Sequence, residues 1–392
     1  MKKLIQTCQE ACDYLARHPS HVPASLRLQE DNALQVHADR ITPLLNTCGE
    51  VYVPSTSPNT APPETISAVT WNIERGKHFE SLVASLKTNA SLAAADIHLL
   101  TEVDWGMARS ANRNVAAELG RALGRYAYYA PSYFNFTMGH GSERHLSGYN
   151  KVGLHGKAIL SRYPLEDLRT APMTNATDKL SSQEARLGQK RALVGHLRIG
   201  DKKIACVCVH LDAFSSPRTR ASQIRELIGQ LGNEDRALIG GDWNTNTLDT
   251  SNGLTTFLSV LRQLLLTGPQ RIIRTHHPYP ERRFDRVLFK TIRSLGFETE
   301  GFNEAGVGTY DLVNNDTELG QLASDEIPMW VLRWIDRQVE KSGGLITMKL
   351  DWFAARGLVP IDKKVIKLKP GIDHPAGDHP SDHHPVSVTA RI

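Results

Sequence analysis

Hydrophobic and polar positions alternate along most of the chain in short runs, and the period of the alternation changes from segment to segment. From Ile66 onward "ISAVTWNI", "DIHLLTEV", "KAILSRY", "RALVGHLRI", "KIACVCVHL" and "RALIGGDWN" are β-branched or apolar runs of strand length, bounded by polar or glycine-rich breaks. Between the first of them lie "FESLVASLKTNASLA" and "NVAAELGRALG", whose apolar residues recur at three and four and predict helices. Few helices separate the later runs, so neighbours such as "RALVGHLRI" and "KIACVCVHL" are expected to pair antiparallel. Helices alternating with strands early and hairpins later predict an α/β protein with mixed sheets.

Two further helical stretches, "LIQTCQEACDYLAR" and "ALQVHADRITPLLNTC", precede the proline-rich "PSTSPNTAPPET". The prolines break any periodicity and favour an extended linker, so residues 1–65 read as an N-terminal helical extension and linker, and residues 66–392 as the main domain. Residues about 245–345 form a helical insertion in that reading. "GLTTFLSVLRQLLLTG" lines up Leu254, Phe257, Leu258, Leu261 and Leu265, and "RFDRVLFKTIRSLGF" lines up Phe284, Leu288, Ile292 and Leu295. "DEIPMWVLRWIDRQVEKSGG" carries start and stop signals at Asp325, Pro328 and Gly343. Its Trp330 and Trp334 could meet a lipid interface, but a packed helix is the favoured reading.

Composition narrows this picture only slightly. Hydrophobic residues make up 40% and charged residues 22%, as in an ordinary globular protein. No apolar run approaches the roughly 20 residues of a membrane span. The start "MKKLIQTCQEACDYLARH" lacks the apolar stretch of an export signal, and an odd count of 5 cysteines without CxxC spacing fits a reducing compartment. A cytoplasmic location is the expectation. A net charge of +4 does not by itself call for nucleic acid, because basic groups must cluster to matter. No protein partner is identifiable.

The chemistry lies where strands should end: Asn72 in "TWNIERG", Glu102 in "LLTEVD", His210 in "VCVHLD", and Asp242 and Asn244 in "IGGDWN". Asp351 in "MKLDWFAARG" and Asp382 and His383 in "PSDHHPV" complete the set. Each alone has an ordinary reading as a turn residue, a solvated carboxylate or a satisfied histidine. Their order, each a brief polar interruption of an apolar strand, resembles the endonuclease/exonuclease/phosphatase superfamily, of the deoxyribonuclease I type, from about residue 66 to the end of the chain. "GGDWN" and "SDHHPV" carry that resemblance most specifically.

The resemblance implies a sandwich of two packed mixed β-sheets flanked by helices, and a metal-dependent phosphoesterase. It implies that Glu102 is the main metal-ligating carboxylate, with Asn72 and Asp382 completing the metal and phosphate environment. Asp242 would orient or deprotonate the attacking water, Asn244 would hold the water or the phosphoryl oxygens, and His383, held by Asp351, would contact the scissile phosphate. His210 would stand near the phosphate and leaving group. The chemistry agrees: a phosphate ester repels its nucleophile, so a site needs a cation, a water-orienting group and donors around the oxygens. Carboxylates and an amide oxygen are hard ligands that suit Mg²⁺ or Mn²⁺. No serine or cysteine joins the set, so direct attack by water is expected.

The sequence departs from the family pattern at Thr101, where glutamine is frequent, and at Lys157, where asparagine is common. Lys157 reads either as a charge near the phosphate or as a solvated lysine. Arg220 and Gln223, on a helix with Ser216 as cap and Pro217 in the first turn, read as structural. His374, His379 and His384 could form a separate zinc site, but without thiolates the set is unconvincing. The expected partner is a phosphate-ester substrate. DNA or RNA is slightly favoured, because Arg144, His145, Lys151 and Lys157 accompany Tyr149 in one loop. A phospholipid, as in sphingomyelinases, or a small phosphate ester is the alternative, and a catalytically silent binding module is the reading from another class.

Overall fold

The structure, a computed structural model, describes residues 1–55, 64–182, 184–213, 215–245, 276–313, 337, 340–341, 345–368 and 379–392. In chain order the main elements are α1 (Lys2–Arg17), α2 (Ala24–Glu30), α3 (Asn32–Ile41), β1 (Gly49–Tyr52), β2 (Thr65–Arg75), α4 (Phe79–Thr88), α5 (Ala90–Ala94), β3 (Ile97–Trp105), α6 (Val115–Leu123), β4 (Tyr126–Asn135) and β5 (Leu154–Ser161). Then follow β6 (Leu165–Pro172), β7 (Arg186–Gly188), β8 (Arg191–Ile199), β9 (Lys202–His210), α7 (Pro217–Leu231), β10 (Ala237–Asp242), α8 (Arg286–Ser294), β11 (Tyr310–Val313), β12 (Leu345–Met348), β13 (Asp351–Arg356), β14 (Val359–Val365) and β15 (Val386–Arg391).

Two mixed sheets pack face to face. The first runs β1-β4-β5-β3-β2-β15-β14, with β7 joined to β4, and the second runs β13-β10-β9-β8-β6. Each contains one parallel pair, β2 with β3 and β9 with β10. The hairpin of β8 and β9 is antiparallel as the sequence predicts, with Leu193 opposite Cys208.

Strand alternation divides the side chains between two kinds of core. Ile66, Ala68, Ile97, Leu99, Cys206, Cys208, Leu238 and Phe353 meet between the sheets. Val69, Trp71, Leu100 and Val103 point the other way, against Leu82 and Leu86 of α4 and Val115 and Leu119 of α6. On the second sheet Val207, Ile239 and Trp352 face Ile224 and Leu227 of α7 and Leu288, Phe289 and Ile292 of α8. The helix signals hold locally: Asn114 caps α6, Gly124 ends it in the left-handed conformation, and Ser216 caps α7 with Pro217 in its first turn.

Two readings are refined by the structure. The N-terminal extension contributes to the first sheet, since β1 pairs with β4 and α1 packs Leu4, Cys8 and Ala11 near Phe134 and Leu154. A four-residue strand beside a proline-rich break carries too little pattern to be found from sequence. The insertion also contains a two-stranded ladder, β11 with β12, beside its helix α8. The helices read over 253–268 and 325–344 lie outside the described residues, apart from three positions of the second. Among the described residues no helix is long and apolar enough to cross a membrane.

Candidate active site

Three neighbouring strands of the second sheet end in one row. Asp242, last in β10, is in register with His210 at the end of β9 on one side and with Asp351 at the start of β13 on the other. Alternation fixes their direction. His210 is in phase with Cys206 and Cys208, Asp242 with Leu238, and Asp351 with Phe353, so all three point between the sheets. "GGDWN" is dictated by crowding here: Gly241 has φ 154°, and a Cβ on it would lie 1.7 Å from the Val209 carbonyl oxygen. Beyond the strand Asn244 turns back at φ 50°, its N–H donating to Asp242 Oδ1 (2.8 Å) and its side-chain amide to the Leu211 carbonyl (3.0 Å).

The first sheet forms the facing wall. Asn72 shares the phase of Ile66 and Ala68 and therefore points inward. Glu102 would point outward with Leu100 if β3 were regular. The register shifts between Thr101 and Val103 against β5, and Glu102 sits at φ 53°. This bulge turns Glu102 into the cleft and returns Val103 to the outer core. Glu74 (φ 45°) and Arg75 (φ 64°) mark a second irregularity on β2. Strained backbone of this kind gathers at functional sites.

A single amide joins the walls. Asn72 Nδ2 donates to Glu102 Oε1 (3.2 Å) and to Asp242 Oδ2 (3.1 Å). Its Oδ1 accepts the Glu74 N–H (3.1 Å) and keeps a second lone pair. His383 closes the cleft from the segment before β15. Its Nδ1 lies 2.7 Å from Asp351 Oδ2 and its Nε2 4.0 Å from Asp242 Oδ2. Trp71 Nε1 donates to the His383 carbonyl, and Ser381 Oγ donates to the Asn72 carbonyl while accepting the His383 N–H. Asp382 lies beside them. All eight residues read from the sequence thus converge on one cleft.

The charges are strongly shifted. Burial and the adjacent Asp351 push the Asp242 carboxyl up to about 7. Burial also pushes Asp382 up to about 7, and Glu74 and Glu102 add to the rise. Burial disfavours a charged His383, but Asp351 and Asp382 overcome it and hold the ring protonated well above its ordinary range. His210 is the opposite case: burial and the Lys190 ammonium hold it neutral. Burial opposes the charge on Glu102, yet the Arg75 guanidinium keeps its carboxyl well below the usual range.

Sequence reading missed the support behind this wall. Arg75, within the quoted "TWNIERG", lies 3.7 Å from Glu102 and donates to Glu143 (2.9 Å). Arg109 is buried among Asp104, Glu143 and Glu184, and His155 Nδ1 meets Asp104 at 2.8 Å. Partners so far apart in the chain leave no local signal. Lys157 is not the solvated lysine of one sequence reading, nor part of the exposed loop: it lies within β5, is 2% exposed and donates to Ser132 Oγ. His384 pairs with Asp311 at 2.7 Å, and among the described residues no metal-type cluster includes it or His379; His374 lies outside the described residues. Arg220 binds Asp285 and Gln223 binds Asp212, tying α7 to its surroundings.

A cleft between two sheets, with carboxylates on one side and a charged Asp–His pair on the other, belongs to the class of hydrolases that act on phosphate esters. Residues 69–383 match the Endonuclease/Exonuclease/phosphatase family, and the chain belongs to that family. Solved structures similar to it include an endonuclease/exonuclease/phosphatase from Beutenbergia cavernae DSM 12333, with 13% identity, TM-score 0.47, and coverage of 84% of this chain and 72% of that one. An endonuclease/exonuclease/phosphatase family protein from Leptotrichia buccalis C-1013-b has 14% identity, TM-score 0.47, and coverage of 83% and 100%. The human Nocturnin catalytic domain with bound sulfate has 14% identity, TM-score 0.43, and coverage of 84% and 96%. No curated protein sequence matches the chain.

Proposed function

We propose that the protein is a phosphodiesterase that requires Mg²⁺ or Mn²⁺ and acts on nucleic acid by direct attack of water. The observation that carries this reading is the bridge from Asn72 to both Glu102 and Asp242, which brings an oxygen-rich wall and a proton-transfer wall within reach of one phosphate. The donor set fits a hard cation. Asp382 is pushed up by burial beside Glu74 and Glu102, a crowding of negative oxygens that a cation would relieve. A cation held by Glu102, Asn72 and Asp382 would absorb charge developing on the phosphoryl oxygens.

The remaining roles fall to this chain's own groups. Asp242, with a carboxyl poised at about 7, takes the proton of the attacking water, and Asn244 orients that water. His383 is locked by Asp351 through Nδ1, so its protonated Nε2 is free to donate to a phosphoryl oxygen. Neutral His210 stands on the leaving-group side. Asp242, Asp351 and His383 also present ligand-type atoms within 4.8 Å of one another, but the 2.7 Å contact between His383 and Asp351 is a hydrogen bond, and we assign the trio to proton handling.

Nucleic acid is favoured by the loop at 139–151. Its Glu143 reaches Arg75 and Lys77 beside Glu102, which anchors the loop at the cleft, while Arg144, His145, Tyr149 and Lys151 are exposed. Exposed cations with an aromatic ring suit a phosphate backbone and a stacked base. A phospholipid substrate would draw on Trp330 and Trp334, which lie outside the described residues. EDTA should abolish turnover, and Mg²⁺ or Mn²⁺ should restore it; full activity after exhaustive chelation would sink the mechanism. A panel of single-stranded and duplex DNA, RNA, sphingomyelin vesicles and inositol phosphates identifies the substrate, with nucleic-acid affinity expected to fall steeply with salt.

A further inference from the structure

Two buried lysines at the site end of the sheets have no place in the chemistry assigned above, beyond the effect of the Lys190 charge on His210. Lys190 immediately precedes β8, and Lys157 lies within β5; they are 8% and 2% exposed. Because β8 starts beside the end of β9, Lys190 comes level with Leu211, and its Nζ donates to the Leu211 carbonyl at 3.1 Å. Asn244 Nδ2 donates to that same oxygen at 3.0 Å. The ammonium and the amide that orients the attacking water are therefore immediate neighbours.

Neither lysine makes an ion pair among the described residues. Lys157 donates to the neutral Ser132 hydroxyl at 2.8 Å, and Lys190 to a carbonyl. Asp212, a carboxylate close to both, is occupied by Lys179 at 2.8 Å, by Gln223 Nε2 at 2.9 Å and by the Ala176 N–H at 2.6 Å. Burial pushes Lys190 down to about 8, and burial together with the Lys190 charge pushes Lys157 down to about 7. Buried ammonium groups with only neutral acceptors have unmet charge, which is costly unless an anion supplies the missing partner.

We propose that Lys190, with Lys157 behind it, forms the anion-binding end of the cleft and contacts a non-bridging oxygen of the substrate phosphate beside His210. This inference rests on the phosphoesterase reading. It gives the cleft a polarity. Lys190 precedes β8 of the second sheet and Lys157 lies on β5 of the first, so positive charge closes this end of the cleft from both sheets.

The test is a titration of the metal-free full-length protein with inorganic phosphate, followed by calorimetry or ³¹P NMR, which needs no turnover. Lys190→Met should weaken phosphate binding at least about tenfold and lower kcat/KM by about 10², the scale for losing one preorganised donor to a developing oxyanion. Lys190→Arg should recover most of the phosphate affinity. Lys157→Asn should weaken phosphate by a smaller factor. Wild-type phosphate affinity in a folded Lys190→Met overturns the proposal. If that variant does not fold, unchanged affinity in Lys157→Asn does so instead. Phosphate binding that depends on Lys190 in a protein hydrolysing no ester would support the anion site and remove the phosphoesterase reading.

Discussion

The two walls of the cleft are built by different means. On the five-stranded sheet His210, Asp242 and Asp351 occupy one unbroken register row, and ordinary alternation aims them inward. On the eight-stranded sheet Glu102 reaches the cleft only because β3 bulges, with Glu74, Arg75 and Glu102 all at positive φ. The regular row sets Asp351 within 2.7 Å of His383, which reaches it from the segment before β15. The strained wall gathers carboxylates that repel one another. The first row meets its partner in His383, whereas the second suits the cation of the proposed mechanism, and this difference sets which wall should respond to mutation and which to metal.

The largest effect is expected where the regular row meets His383. Asp351→Asn and His383→Ala should each lower turnover by about 10² to 10⁴, the usual cost of a positioned acid or base. The double variant should be little worse than His383→Ala alone, because the pair acts as one unit. Multiplicative losses with unchanged stability would show that the 2.7 Å contact does not operate as a pair in catalysis.

A smaller effect, on stability, should mark the carboxylate wall. The Asp382 carboxyl is pushed up to about 7 in the folded protein by burial, with Glu74 and Glu102 adding. The folded state then binds a proton that the unfolded state releases above about pH 4, so the cost of the group grows as pH rises toward 7 and is fully present beyond it. At pH 8 without metal, Asp382→Asn should raise Tm by about 2–4 °C, the shift that roughly 1 kcal/mol gives in a domain of this order of size. Stabilisation of the wild type by Mg²⁺ should be largely lost in the variant. Calorimetry in EDTA and in Mg²⁺ reads both, and an unchanged metal-free Tm would argue that the oxygens are not crowded.

The smallest effect concerns the tie between the walls. Ser381 Oγ holds the Asn72 carbonyl and the His383 N–H. Ser381→Ala should cost about 1 kcal/mol of stability and less than about tenfold in turnover, since it removes hydrogen bonds and no reacting group. A loss in kcat above 10² with Tm unchanged would instead give the hydroxyl a part in the chemistry.

Much of this site was legible in the chain because strands repeat with period two. Asn72, His210 and Asp242 each follow an apolar run, and Asp351 precedes one, in the phase of its inward residues, so both their identity and their direction follow from the pattern. Helix α8 was readable for the same kind of reason: Leu288 and Ile292 recur at helical spacing and are buried. Glu102 was recognised by its motif, but its direction was not, because a one-residue bulge reverses the face and leaves no mark in hydropathy.

What the sequence by itself determined is therefore periodic: strands, helices, their buried faces, and the polar residues that interrupt them. Tertiary structure decided everything that depends on residues meeting across distance. Asp351 and His383 are 32 positions apart, Asn72 and Asp242 are 170 apart, and Arg109 gathers acids from three separate segments. The same is true of charge state. His210 and His383 have the same side chain, yet one is held neutral by burial and the Lys190 ammonium and the other charged by buried aspartates, because an ionisation equilibrium is set by the burial and the field of neighbours that only the fold assembles.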